Sequence, residues 1–260
     1  MLHIQRSLFF IFIFASAHAF AQSKTASPAD DNFAQSLMSY TQHAELLLPI
    51  KYLHRELPIV VDNSLSPYFR PIFNQTGASC GQASGIGYTF TYEMCRKRDV
   101  PANMEENQFP SHFLYNFMTY DGYYGVNYLH SLEMAKAVGN PSVATYGGIA
   151  IDDGIVWISG YEKYYEAMTN SVRAIKMIRT ETVDGLINLK HWLAHHHEES
   201  SSGGLAAFAS GSPYGLINIP PDSPEAGKKI MKQFPGAVAT HAMTIVGYND
   251  SIRVDVNGDG

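Results

Sequence analysis

The chain has 260 residues, 45% of them hydrophobic and 12% aromatic, enough apolar mass for a substantial core in one large domain or two intimate subdomains. Its 18 basic and 24 acidic side chains leave a formal net charge of -6, which argues against nucleic acid or an anionic membrane surface as the main partner.

At the N-terminus, His3 and Arg6 precede a compact apolar run, Leu8 to Phe14, and Ala19-Phe20-Ala21 fits a small-residue cleavage site before Gln22. Residues 1–21 therefore read as a signal peptide and the mature protein as exported, either secreted or periplasmic. The run is too short for a spanning helix, and no later segment approaches about 18 consecutive apolar residues. Cleavage after Ala21 removes Arg6 and no acid, leaving 17 basic against 24 acidic side chains, a net -7. Residues 22–56 form an extension with a helix expected over 33–48, and the domain proper is expected over 57–260.

Pro58, Pro67 and Pro71 divide the next segment into short extended pieces that lead into Phe73 to Ser84, FNQTGASCGQAS. Ser79 is a good N-cap and Gln82 lies three residues later, the spacing of a capping box, so a helix is expected to begin at Cys80 and run to about Lys97. Ala83, Ile86, Phe90 and Met94 recur at helical spacing and give it a face to bury. A sulfur on the first turn meets unpaired backbone N–H groups and the positive end of the helix dipole, which favours thiolate over thiol. Fifteen residues of helix put Cys95 roughly 22 Å away, where a disulfide needs Cα atoms within about 7 Å. Cys80 is expected to be free and Cys95 to be a packing residue.

Pro110-Ser111 starts a short aromatic helix, Phe113 to about Met118, and Asn127 caps another that ends at Gly139, with Tyr128, Leu132 and Ala135 on one face. Between them, Asp121 to Gly125, DGYYG, reads as a turn. Ser159 and Glu162 repeat the capping-box spacing, and Tyr161, Tyr164, Tyr165 and Met168 fit the buried face of an amphipathic helix. Leu186, Leu189 and Leu193 mark a further helix ending at His195-His196-His197. Consecutive residues point in different directions around a helix, so these imidazoles do not easily share a metal and read as a solvated helix end. From Leu205 the runs become short and strand-like, at 205–208, 216–219 and 238–248, separated by Gly and Pro. A helix-rich first part and a strand-rich second part predict an α+β arrangement of two layers or lobes.

His241, in AVATHAMTIVGYND, sits in a run rich in Val, Thr, Ile and Met and is expected on a strand. Alone it reads as a hydrogen-bonded core residue. Together with Cys80 it makes a constellation, because acyl transfer by cysteine needs a thiolate, a positioned imidazole to share and deliver the proton, and donors for the developing oxyanion. Gln75, on the turn before Cys80, can offer a side-chain N–H to that oxyanion beside the backbone N–H of Cys80.

In these motifs the chain resembles the papain-like cysteine peptidases. The resemblance is carried by LPIVVDN (57–63), like the start of their mature domain; by the Q-x-G-x-x-C pattern of Gln75 to Cys80 and the helix after it; by the tyrosine-rich turn Gly122, Tyr123, Tyr124 and Gly125; by AVGNPSVATYGG (137–148); and by HAMTIVGY (241–248). These pieces follow family order over about residues 57–250. The resemblance implies a papain-like two-lobe α+β fold, with a helical N-terminal lobe, an antiparallel β-rich C-terminal lobe and the active site in the cleft between them. It implies hydrolysis of peptide bonds in a peptide or protein substrate, with Cys80 as nucleophile, His241 as base and then acid, Gln75 in the oxyanion hole and Gly122 to Gly125 bordering the non-primed cleft. No cofactor is implied for catalysis.

There are three departures. Gly81 stands where the family usually has Trp. The paired cysteines of many secreted members are absent, which suits a bacterial branch. The Asn of the family's N-S-W-G segment, which orients the imidazole, has no counterpart before Gly260, so the sequence reads as cut within its catalytic domain. Other acyl-transfer enzymes (transglutaminase-like, amidase-like or leader-processing) also combine C-G-x-A with a later H-x-x-x-x-V-G-Y, but usually place the His closer. An alternative of another class is an inactive, calcium-stabilised binding module on the same scaffold. It rests on Asp255, Asn257 and Asp259, which with Gly260 match the first six positions of a D-x-[DN]-x-[DN]-G calcium loop and otherwise form a polar surface turn.

Overall fold

The computed structural model describes residues 45–46, 56–119, 125–149, 158–197, 202–210, 216–219, 221, 225–231 and 241–252. The predicted signal peptide, nearly all of the extension, Gly122, Tyr123 and Tyr124, and the candidate calcium loop lie outside these residues. Along the chain come β1 (Glu45–Leu46), β2 (Val60–Asp62), α1 (Cys80–Gln82), a π-helical stretch (Ala83–Phe90), α2 (Thr91–Arg98), α3 (Ser111–Met118), α4 (Tyr128–Val138), α5 (Val143–Tyr146), α6 (Tyr161–Thr169), β3 (Lys176–Met177), α7 (Val183–His195), β4 (Ala206–Ser210), β5 (Leu216–Asn218), β6 (Lys229–Met231), β7 (His241–Ile245) and β8 (Gly247–Asn249). Helices dominate the first part and strands the second, so the α+β expectation agrees with the observed order.

The segment Cys80 to Arg98 is one unbroken helix, as the sequence predicts, but its middle is wound more widely than an α-helix. That stretch reads ASGIGYTF, with two glycines and β-branched Ile and Thr, all weak α formers. The Thr91 N–H reaches back to the Ile86 carbonyl, the i to i−5 bond of a π-helix. The predicted apolar face is buried: Ala83, Ile86, Phe90 and Met94 all point inward, and Ile86 is 0% exposed. Ile86, Phe90 and Met94 pack with Phe109, Phe113, Leu114, Ala135, Tyr146 and Ile158 into the main core. Gly87 admits the Phe73 ring, which a Cβ at that position would strike.

Arg70 fastens the proline-rich segment to this core. Its guanidinium donates to Gln108 Oε1 at 2.7 Å, to the Phe109 carbonyl at 3.2 Å and to the Gly87 carbonyl at 3.4 Å, and lies 4.4 Å from the centre of the Phe73 ring. Burial lowers its pKa to about 10, so it stays charged at neutral pH.

The strands form two-stranded pairs. β4 runs antiparallel to β7 with Ser210 opposite His241, β2 is antiparallel to β8 with Val60 opposite Asn249, and β5 is antiparallel to β6. A second apolar cluster joins Leu189 and Leu193 of α7 to Tyr248, with Val61, Trp192 and Ile245 against it. Asn63 seals its edge, donating from Nδ2 to the Leu193 and Gly204 carbonyls at 2.9 Å each.

Four local expectations are corrected. Glu45 and Leu46, inside the expected 33–48 helix, instead pair parallel with Lys176 and Met177. The Ser159 capping box does not form: α6 starts at Tyr161 behind Gly160 with φ 101°, without a side-chain cap. α6 also presents the other face, with Tyr161 77% and Met168 63% exposed. It packs through small Ala167, whose carbonyl accepts from the Asn140 N–H and lies against Gly139, where a Cβ would collide. Finally, the histidine run is folded inward. His196 has φ 54° and its ring lies 4.0 Å from Trp192; Arg96 donates to its Nδ1 at 3.0 Å, so Nε2 carries the proton and donates to Glu93 at 2.7 Å. Among the described residues, no group of three or more His, Cys, Asp or Glu side chains is placed to hold a metal ion, and no helix is long and apolar enough to cross a membrane.

Because Ile86 sits where the π-helical stretch meets the core, Ile86→Ala should lower unfolding free energy by about 2–5 kcal/mol in urea denaturation with an unchanged slope.

Candidate active site

The helix that carries Cys80 starts from a turn, Thr76 to Ser79, in which Gly77 takes φ 60°. Ser79 is the N-cap, yet its hydroxyl does not cap: Oγ donates backwards to the Thr76 carbonyl at 2.7 Å. The predicted capping box fails for a tertiary reason. Gln82 is fully buried, and its Nε2 donates to Ser131 Oγ at 2.8 Å and to the Val126 carbonyl at 3.2 Å.

The Val126 carbonyl also explains Gly81. A Cβ there would run into that oxygen and crowd the Tyr128 N–H, so the strand of backbone at Gly125 to Tyr128 lies directly across the first helical turn. No side chain fits at this position, tryptophan least of all. Gly125 itself is exposed and lies against the turn, with its Cβ direction 3.8 Å from the Ala78 carbonyl oxygen.

One turn after Cys80, the buried Ser84 hydroxyl reaches β7. Oγ donates to the Met243 carbonyl at 2.6 Å and lies 2.9 Å from Thr244 Oγ1. This fixes the helix start to the strand that begins at His241. The Ala242 N–H is among the groups that act on the Cys80 sulfur, which puts the thiol near the residue next to His241. Cys80 and His241 are both partly buried. Gln75 is exposed on the turn ahead of the thiol.

The influences on the pair run against the thiolate expected at a helix start. Burial is the largest influence on Cys80 and pushes its thiol up; the N–H groups of Ala242, Gly81 and Cys80 act downward but are outweighed. Burial also pushes the His241 imidazole down. Both shifts favour the neutral pair, thiol and imidazole. The dipole argument fails because it counts the donors at the helix end and omits the cost of removing a charged sulfur from water.

Cys95 behaves as the sequence predicts. It is free, 1% exposed, donates to the Asn107 carbonyl at 3.1 Å, and burial pushes it up to about 11. Two residues with a bearing on the site were not singled out from the sequence. Ser84 was legible only as a polar residue on an otherwise apolar helix face, and His112 as a histidine in the first turn of an aromatic helix. Gly122, Tyr123, Tyr124, Asp255, Asn257 and Asp259 lie outside the described residues.

No family model matches the chain, and no curated protein matches it. Among solved structures it is similar to the digestive procathepsin L 3 of Tenebrio molitor larval midgut, at 12% identity and a TM-score of 0.49, over 83% of this chain and 64% of that one. It is also similar to xylellain, a cysteine protease from Xylella fastidiosa, at 14% identity and a TM-score of 0.49, over 82% of this chain and 78% of that one. The chain thus spans less than two thirds of the procathepsin.

A neutral pair has a distinct reactivity profile. The rate of Cys80 alkylation by iodoacetamide should rise with pH through the alkaline range, as the raised thiol loses its proton, with no plateau on the acid side of neutrality. Mass mapping of the adduct against pH checks this; an acid-side plateau would mean a resting thiolate and imidazolium.

Proposed function

We propose that the protein is an exported cysteine peptidase of papain-like, two-lobe fold, which hydrolyses peptide bonds by acyl transfer through Cys80 and His241. The observation that carries the reading is the tie from Ser84, one turn after Cys80, to Met243 and Thr244 of the strand that begins at His241. It supports a meeting of the two residue types that nucleophilic catalysis requires, from segments at opposite ends of the described domain. The order of the motifs along the chain supports peptide hydrolysis over other acyl chemistry.

In this reading the pair rests neutral and separates charge only as substrate is attacked. His241 takes the thiol proton while the sulfur bonds to the scissile carbonyl carbon and the carbonyl oxygen becomes an oxyanion. The backbone N–H of Cys80 and the side-chain amide of Gln75 donate to that oxygen. Collapse breaks the C–N bond, and His241 delivers its proton to the leaving amine. A thioester remains on Cys80. Water, deprotonated by His241, then attacks the thioester, releasing a carboxylic acid and restoring the thiol. Burial of both groups assists, since a dry site strengthens each donor aimed at developing charge. The substrate segment is proposed to run past Gly122 to Gly125, of which Gly125 lies beside the turn that leads to Cys80.

A fluorogenic peptide library, tested on the full chain, separates the alternatives. Hydrolysis that Cys80→Ala abolishes and His241→Ala lowers by about 10²–10⁴ in kcat is the expected result. Incorporation of an added amine in place of hydrolysis would point to a transglutaminase-like enzyme. No turnover, with calcium raising the Tm, would point to an inactive binding module.

A further inference from the structure

We infer that His112 is a positioning residue for the proposed oxyanion turn, acting through Thr76 and not through the substrate; the inference rests on the peptidase reading above. His112 occupies the first turn of α3, on an element separate from both Cys80 and His241, and is 4% exposed. Its ring packs against Tyr115 at 5.3 Å. Nε2 lies 2.9 Å from Thr76 Oγ1 and 3.4 Å from the Thr76 carbonyl oxygen. A carbonyl only accepts, so a proton on Nε2, shared between the two oxygens, satisfies both contacts.

Thr76 is the fixed point of a short, outward loop. Gln75 before it and Gly77 after it are exposed, and Gly77 turns the chain with φ 60°. The Thr76 carbonyl is held from a second side by Ser79 Oγ at 2.7 Å, and Ser79 is the N-cap of the helix that begins at Cys80. A buried imidazole and a buried hydroxyl therefore grip one peptide group between Gln75 and Cys80, the two residues proposed to supply the oxyanion donors. Such donors accelerate reaction only when they are fixed before the charge develops, because reorganising them during the step consumes the stabilisation. His112 supplies that fixation through Thr76. Its Thr76 contacts lie on the Cys80 side of the site, a role distinct from that of a residue that orients His241.

The experiment compares His112→Leu, which removes the donor, with His112→Gln, which keeps an N–H of similar reach, in the full chain. Four quantities are read: kcat and KM for a peptide substrate, affinity for a peptide aldehyde, the iodoacetamide rate at Cys80, and Tm. The aldehyde forms a hemithioacetal whose oxygen uses the same donors, whereas alkylation creates no oxyanion. His112→Leu should lower kcat roughly 10- to 100-fold, below the loss from deleting a donor outright, and weaken the aldehyde in parallel. KM and the alkylation rate should stay within about 2-fold, and His112→Gln should recover most of kcat. If His112→Leu does not fold, Thr76→Val, which removes only the hydroxyl contact, should give a smaller fall in kcat and aldehyde affinity together. A folded variant with unchanged kcat, or one in which kcat, alkylation and Tm fall together without rescue by Gln, overturns the inference. A wild-type chain that hydrolyses no peptide overturns the peptidase reading itself.

Discussion

The Ser84 hydroxyl, buried at the inner face of the Cys80 helix and donating to the Met243 carbonyl, is the contact on which the geometry of the site depends. It joins residues 159 apart in the sequence and sets the height at which strand β7 meets the helix. Cys80 lies one turn before Ser84, and His241 two residues before Met243. The amide of Ala242 can then face the sulfur. The bond matters because a buried hydroxyl such as that of Ser84, left without its partner, costs about 1–3 kcal/mol. An apolar residue at 84 would make no directional bond to the strand and would leave the register of helix against strand less specified.

The surrounding structure is built from close backbone approaches and from buried polar side chains that bridge separate segments. Gly81 lets the Gly125 to Tyr128 backbone cross the helix start, and Gln82 bridges that backbone to Ser131. Arg70 performs the same office further back, holding Gly87, Gln108 and Phe109 in place with one charged side chain. Such networks favour one arrangement over near alternatives, since each partner has a defined direction. The same exclusion of water raises the Cys80 thiol and lowers the His241 imidazole.

Features governed by local pattern were legible in the sequence. Helix initiation at Cys80, the buried Ala83, Ile86, Phe90 and Met94 face, the two free cysteines, the Asn127 cap and the strand position of His241 all follow from periodicity and from Gly, Pro and cap residues. Features decided by distant partners were not. Gln82 has the spacing of a capping residue but finds Ser131, 49 residues on, and Ser79 turns back to Thr76. The tyrosines of α6 repeat at helical spacing yet face outward, because Ala167 and Gly139 allow the tighter contact. His196 looks like a solvated helix end until Trp192, Glu93 and Arg96 are brought to it. The sign of the Cys80 shift belongs to this second group, since desolvation depends on what the fold lays over the sulfur.

The central claim is that Cys80 carries an acyl group during turnover. Acid-quenching the full chain during steady hydrolysis of a peptide ester, followed by peptide mapping by mass spectrometry, tests it directly. The account predicts the acyl mass increment on the peptide containing Cys80 and none on the peptide containing Cys95. Steady turnover with Cys80 unmodified, or an acyl group carried by another residue, would contradict it.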